Sequence, residues 1–341
     1  MVTPTADRLA VARQHFADAI DNLDAQAATE TIGQALRDGL DPVDLIEDVI
    51  APSQRLVGER WERGDWTVAQ QHAATGLATA AVCALDAAMP AADRGLVVLA
   101  CAEREWHALP LQLIGATLRA GGWQVDLLGS AVTAGRLSCT LHELGPDVVA
   151  VSSSVLGSLP NARRCVEAST TAGIPIVVGG PAFGTSAHRA RAIGATAWAP
   201  TARALPDVLA TLPAVVRPVP ALPRAVVTEQ AGLDAQHAAL VTRLAARWRL
   251  TAGVRPDATQ PDTVADLAVD VVRQYLHAVH AAVLLGDPSV ISDIHRWALS
   301  VFGARGVADA PATMAELRAL VAEALAEYPL ASKALGPVGQ P

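Results

Sequence analysis

The chain has 341 residues, enough for two or three domains, and is 51% hydrophobic but only 4% aromatic. Its net charge is −8 and it has no Lys/Arg run, which argues against a grip on nucleic acid. No apolar run approaches the roughly 20 residues of a membrane span. No leader pattern precedes Asp7 and Arg8, and Cys83, Cys101, Cys139 and Cys165 form no Cys-x-x-Cys pair, so reduced thiols in the cytoplasm are expected.

Residues 4–89 read as four amphipathic helices over 7–23, 25–40, 43–60 and 66–89, with Asp41-Pro42 as a helix start. Short joins imply an antiparallel bundle that can stand alone. Trp61 falls near the end of the third helix. Val68, Gln71 and His72 are spaced i, i+3 and i+4, so they share one face of the fourth. Taken alone, that face reads equally as core packing with two surface polar residues.

Residues 95–212 alternate strand and helix five times. Strands are expected at 95–100, 123–128, 147–152, 174–178 and 195–199, and helices at 109–120, 134–144, 159–171, 186–193 and 202–212. Such alternation specifies a doubly wound parallel sheet. Right-handed crossovers then bring its strand-end loops to the carboxyl edge, where ligands bind.

The first of these loops holds Glu105, Trp106 and His107. Residues i and i+2 of an extended loop point the same way, so Glu105 can brace the His107 ring. By itself, Glu-x-His reads just as well as a solvent-exposed loop histidine. The third loop carries Ser152, Ser154 and Leu156, which also suit a helix cap. The fourth carries Gly179, Gly180 and Gly184, where missing Cβ atoms allow either a close approach or an ordinary turn.

Residues 213–223 contain four prolines and read as a semi-rigid linker. Helices are expected at 236–250, at 261–285 entered through Asp262 and Thr263, at 287–302, and from a Thr313/Glu316 capping box to a stop before Pro329. His277 and His280 lie one turn apart, and His295 adjoins Arg296. These histidines read either as half-exposed helical residues or as groups facing one pocket. No cysteine follows Cys165, so a thioether-linked chromophore has no attachment residue there.

Residues 57–184 together resemble the cobalamin-binding module. That family carries Asp/Glu-x-His-x-x-Gly, Ser-x-Leu and Gly-Gly on the first, third and fourth loops of a flavodoxin-like sheet. Glu105-Trp106-His107-Ala108-Leu109-Pro110, Ser154-Val155-Leu156 and Gly179-Gly180 match in order, with Pro110 where the family has Gly. The resemblance implies cobalamin bound with its tail displaced, His107 as lower axial ligand of cobalt and Glu105 behind it. Trp106, Ser152, Ser154, Leu156, Gly179, Gly180 and Gly184 would then contact the cofactor.

The preceding bundle is similar to the cap of the light-sensing cobalamin repressors, whose Trp, Val and Glu-His pattern packs around an adenosyl group. Trp61, Val68, Gln71 and His72 match it, with Gln71 replacing Glu. No winged helix is expected ahead of the cap, and a helical domain is expected after the sheet, an arrangement similar to the photocobilin group. That likeness implies biliverdin in the C-terminal domain, near His277, His280, His295 and Arg296.

The expected fold is thus α/β plus all-α. A four-helix cap spans 1–92, a flavodoxin-like doubly wound five-stranded parallel sheet 93–213, a linker 214–227 and a C-terminal helical bundle 228–341. The expected function is adenosylcobalamin photoreception rather than enzymatic turnover, in a homo-oligomer with light-dependent assembly and no nucleic-acid or membrane partner. A corrinoid methyl carrier of a methyltransferase system is the alternative.

Overall fold

A computed structural model describes residues 5–86, 88–250 and 264–336. They form two compact units. The first comprises residues up to Trp61, then Asp65–Ser154 and Asn161–Val219; the second takes in Glu62–Gly64, Val155–Pro160 and the chain from Pro220 onward.

In the first unit, α1 (Thr5–Asp21), α2 (Ala25–Arg37), α3 (Pro42–Leu45), α4 (Ala51–Arg63) and α5 (Val68–Asp86) build the N-terminal bundle. Asp24 caps α2 and Asp41 caps α3, where Pro42 occupies the first helical position. The helix expected over 43–60 is interrupted by a π-helical turn, Ile46–Ile50. Pro52 lacks the N–H that an α-helix would bond to Asp48, and the ladder adjusts by widening just before it.

The sheet contains β1 (Leu96–Ala102), β2 (Gln124–Val132), β3 (Val148–Ser152), β4 (Ile176–Gly179) and β5 (Ala197–Ala199). All pairs are parallel, in the order β2-β1-β3-β4-β5. The intervening helices are α6 (Ala108–Ala120), α7 (Ala134–Leu144), α8 (Leu159–Thr171), α9 (His188–Ala192) and α10 (Leu205–Ala210). Chain progression reverses at β1, so the loops leaving β1 and β3 flank the topological switch point.

Helix α6 belongs to two cores. Leu111 and Leu118 pack with Val97, Leu99 and Val148 on the sheet, while Leu109, Leu113 and Ala116 join Phe16, Ile32, Val57 and Leu85 of the bundle. The bundle expected to stand alone is therefore closed by a helix of the sheet domain. At roughly 1.5–3 kcal/mol for each fully buried large apolar side chain, the contribution of Leu109 and Leu113 is substantial for so small a bundle.

In the second unit, α11 (Arg224–Arg247), α12 (Val264–Leu285), α13 (Ser289–Ala304), α14 (Ala310–Ala324) and α15 (Pro329–Leu335) pack around a largely buried α12. Trp248, Tyr275 and Phe302 are fully buried there, and the Trp248 indole donates to the Thr313 carbonyl at 3.1 Å.

Three expectations change. Residues 224–235, read as linker and connection, are the start of α11. Asp309, not Thr313, caps α14, and Thr313 is buried one turn inside it. Thr313 and Glu316 instead hold Arg249, whose guanidinium lies 2.9 Å from the hydroxyl and 2.8 Å from the carboxylate. A further helix, α15, begins at Pro329, its first amides donating to buried Glu229 at 2.7 and 3.0 Å. The expected entry through Asp262 and Thr263 lies outside the described residues. Among those residues no helix is long and apolar enough to cross a membrane.

Candidate functional site

The loop from β1 into α6 is fixed before His107 is reached. Buried β1 delivers Cys101 and Ala102 to the switch point. Glu105 N–H then donates to the Ala102 carbonyl at 2.9 Å, closing a turn in which Arg104 has φ of +72°. On the other side of the turn, Ala131 N–H at the end of β2 donates to the Glu105 carbonyl at 2.9 Å. Asn161 on α8 donates from Nδ2 to the Glu103 carbonyl at 3.0 Å.

This turn puts the Glu105 carboxyl group fully inside the protein. One oxygen accepts from His107 N–H at 2.8 Å and faces His107 Nδ1 at 2.6 Å. The other accepts from Ser154 N–H on the loop after β3. Burial pushes the Glu105 pKa upward, but the hydrogen bonds from His107 and Ser154 outweigh it, and the group stays below its ordinary value. Its hydrogen bond raises the His107 pKa against the opposing effect of burial.

An ionised carboxylate only accepts, so Nδ1 carries the shared proton. That leaves Nε2 as the ring nitrogen that could bind a metal, on a side chain that is 57% exposed. The arrangement fits a metal ligand: a braced imidazole, one nitrogen engaged and the ring open to solvent. Neighbouring thiols do not compete. Burial, then the Glu105 charge, pushes Cys101 up to about 12, and burial, then Glu103, does the same to Cys165. Trp106, between Glu105 and His107, is 74% exposed, unusual for an indole and compatible with a contact face.

The glycines act first on the protein itself. A Cβ on Gly180, whose φ is +103°, would lie 2.4 Å from the Ser153 carbonyl oxygen; one on Gly179 would lie 2.9 Å from that of Ala199. The close approach they permit here is thus within the protein: Gly180 lets the third loop lie beside the fourth, and Gly179 lets the end of β4 lie against that of β5. Ser153 N–H donates to Gly179 O at 3.0 Å, and Ala182 N–H to Ser153 O at 3.1 Å. Ser152 is buried, Ser154 and Leu156 are half-buried and Gly184 is exposed. The Ser153 hydroxyl, which the motif reading passed over, is buried without a hydrogen-bond partner. Only its position inside a run of serines hinted at it.

Trp61 ends up on the last turn of α4, while Val68, Gln71 and His72 occupy the first two turns of α5. None enters the bundle's buried core: Trp61, Val68 and Gln71 are half-buried and His72 is exposed. Next to them, Thr75 donates to the Gln71 carbonyl at 2.9 Å and to Gln54 Oε1 at 3.2 Å.

In the second unit, the His277 ring stacks on His237 with centroids 4.1 Å apart, and buried His280 has Nδ1 3.6 Å from Asp234. His295 is half-buried, and its pKa is lowered by burial and then by Arg318. Arg296 is exposed and pairs with Asp293 at 3.3 Å. His277 and His280 therefore meet α11 residues, whereas the surroundings of His295 include α14.

Two family models match this chain. Residues 95–209 match the B12 binding domain, and residues 12–86 match a second B12 binding domain model. The HTH-type transcriptional repressor CarH of Myxococcus xanthus is 32% identical over 173 residues, 50% of this chain and 58% of the repressor. The chain thus spans less than two thirds of that relative's length. Trimethylamine corrinoid protein 2 of Methanosarcina acetivorans is 28% identical over 162 residues, covering 46% of this chain and 75% of its own. The solved monomethylamine corrinoid protein of Methanosarcina barkeri shares the fold, with a TM-score of 0.50 at 20% identity, over 58% of this chain and 96% of that one.

Proposed function

We propose, from the premise that residues 12–86 and 95–209 form a cobalamin-binding module, that the chain is a light sensor holding adenosylcobalamin with His107 as lower axial ligand of cobalt. The supporting observation is the Glu105–His107 pair at 2.6 Å, on a loop held by backbone and side-chain hydrogen bonds of the protein itself. When bound, adenosylcobalamin supplies a cobalt–carbon bond that light can break. Glu105 keeps the proton on Nδ1 and sets the aim of the ring. Ser152, Ser154 and Leu156, with Gly179, Gly180 and Gly184, would receive the displaced tail, and Trp106 would flank the cofactor beside His107. Trp61, Val68, Gln71 and His72 would hold the adenosyl group. A half-exposed apolar and polar face outside the bundle core is suited to packing on an occupant, and a change in its occupant shifts domain or subunit packing.

His107→Ala tests the lower ligand. The variant is expected to bind hydroxocobalamin weakly and without the absorption signature of an imidazole ligand. An unchanged ligand spectrum rejects the assignment.

Likeness to the trimethylamine corrinoid protein supports a second reading, a methyl carrier. Offering adenosylcobalamin and methylcobalamin separately, in darkness and under light, decides between them. The sensor retains the adenosyl form and changes its elution volume after illumination; the carrier does neither. We also propose biliverdin as a second chromophore in the second unit, where His277 and His237 already form a stacked pair. Biliverdin supplied during expression then gives a far-red band.

A further inference from the structure

We infer that Asn161 is a positioning residue for His107: it holds the left-handed turn at Arg104, and that turn aims the imidazole. The inference concerns the same site and, where it speaks of cobalt, rests on the ligation proposed above.

The starting observation is a backbone outlier. Arg104 is not glycine, yet its φ is +72°. A residue with a Cβ is strained there and persists in that state only where its surroundings over-determine it. Hydrogen bonds hold the turn on both sides. After the turn, Glu105 is held through its N–H by Ala102 and through its carbonyl by Ala131, each at 2.9 Å. Before the turn, the Glu103 carbonyl is held by Asn161 Nδ2 at 3.0 Å.

Asn161 is itself prearranged. It lies in the first turn of α8, is 4% exposed, and its Oδ1 accepts from Arg164 Nη1 at 3.1 Å. That bond fixes which end of the amide faces Glu103. A part-buried loop carbonyl is satisfied by a partner, and the helix supplies one across 58 positions of sequence. Released on the Glu103 side, the turn can relax toward negative φ. Glu105 would then rotate away from His107 N–H, His107 Nδ1 and Ser154 N–H together, since one carboxylate serves all three.

Asn161→Asp is the sharpest test. It keeps the shape, loses the donor, and has Arg164 at hand to offset the new charge. Asn161→Ala removes the group altogether. Arg104→Gly is the rescue, because glycine adopts the left-handed turn without help. The first readout needs no cobalamin: amide exchange at His107 and Ser154, whose N–H groups both donate to Glu105. Both Asn161 variants should exchange there about fivefold to tenfold faster, the loss of one hydrogen bond. Adding Arg104→Gly should return the rates to within about twofold of the parent. The second readout is the fraction of bound hydroxocobalamin showing imidazole ligation, which should fall and recover in step.

Unchanged exchange at both amides overturns the inference. So does a loss that Arg104→Gly leaves uncorrected, since that outcome places the role of Asn161 in α8 packing. Should the parent bind no cobalamin, the ligation reading fails, and amide exchange still decides the positioning claim.

Discussion

The loop that carries His107 and the helix face that carries Trp61, Val68, Gln71 and His72 are both proposed to meet the same cofactor, yet they are built in opposite ways. The loop is over-determined: a fully buried carboxylate takes three hydrogen-bond donors, and separate elements hold the turn on either side of it. The cap face is left half-open, outside the bundle core. If His107 ligates cobalt as proposed, the ring must be presented at one angle, and the bonds around Glu105 suit that demand. A face that reports on an occupant has to be able to change, so little of the fold's stability should depend on it.

This contrast predicts the largest effect at Glu105. Glu105→Ala strands two backbone N–H groups and the His107 ring nitrogen at once. Each unsatisfied buried donor costs about 1–3 kcal/mol; the two N–H groups are only part-buried and the exposed imidazole recovers solvent, so a loss in the lower part of their sum, about 2–4 kcal/mol, is expected from urea unfolding. Cobalamin should also lose its imidazole ligation, as removal of such a support typically costs 10–100-fold in metal affinity. A Glu105→Ala protein as stable as the parent removes the basis of the comparison.

Gly180→Ala comes next. The new Cβ meets the Ser153 carbonyl oxygen at 2.4 Å, from a residue whose φ is +103°. Backbone on both sides of the clash leaves nothing flexible to yield, so about 2 kcal/mol of destabilisation is expected in the cobalamin-free protein. Gly184→Ala separates conformation from crowding. Its φ is +75°, but the nearest atom to the added Cβ is the Arg189 guanidinium at 3.8 Å, so a smaller loss is expected. Equal losses would show that backbone conformation alone matters at the fourth loop.

The same contrast explains what could be read from the sequence. Buried strands such as Val97–Cys101 and the helices at Ala134–Leu144 and Leu159–Thr171 announce themselves by unbroken apolar runs and by period. Glu105 and His107 could be paired because their spacing is local. Asn161 could not be: its partner is 58 residues away, and an asparagine in a first helical turn looks like any other. The Ser153 hydroxyl and the strain at Arg104 were hidden likewise, since both arise from the meeting of loops. Thr313 and Glu316 show the opposite failure. Their spacing fits a capping box, but tertiary bonds to Arg249 claimed both side chains, and Asp309 supplied the cap.

The smallest effect on stability, and the one that sharpens the comparison most, is expected at His72. Its side chain is exposed on α5, away from the buried residues Ala74, Ala78 and Leu85 that bind the helix to the bundle. Alanine is also the better helix former. His72→Ala should therefore change stability by no more than about 0.5 kcal/mol in urea unfolding. If the face packs on an adenosyl group, the same variant should hold adenosylcobalamin more weakly in darkness while binding hydroxocobalamin like the parent, because only the former reaches the upper side. Loss of both forms together would place His72 in general cobalamin retention. Loss of neither would leave the cap face without an occupant, and would move the weight of evidence to the methyl-carrier reading, in which the upper side stays open.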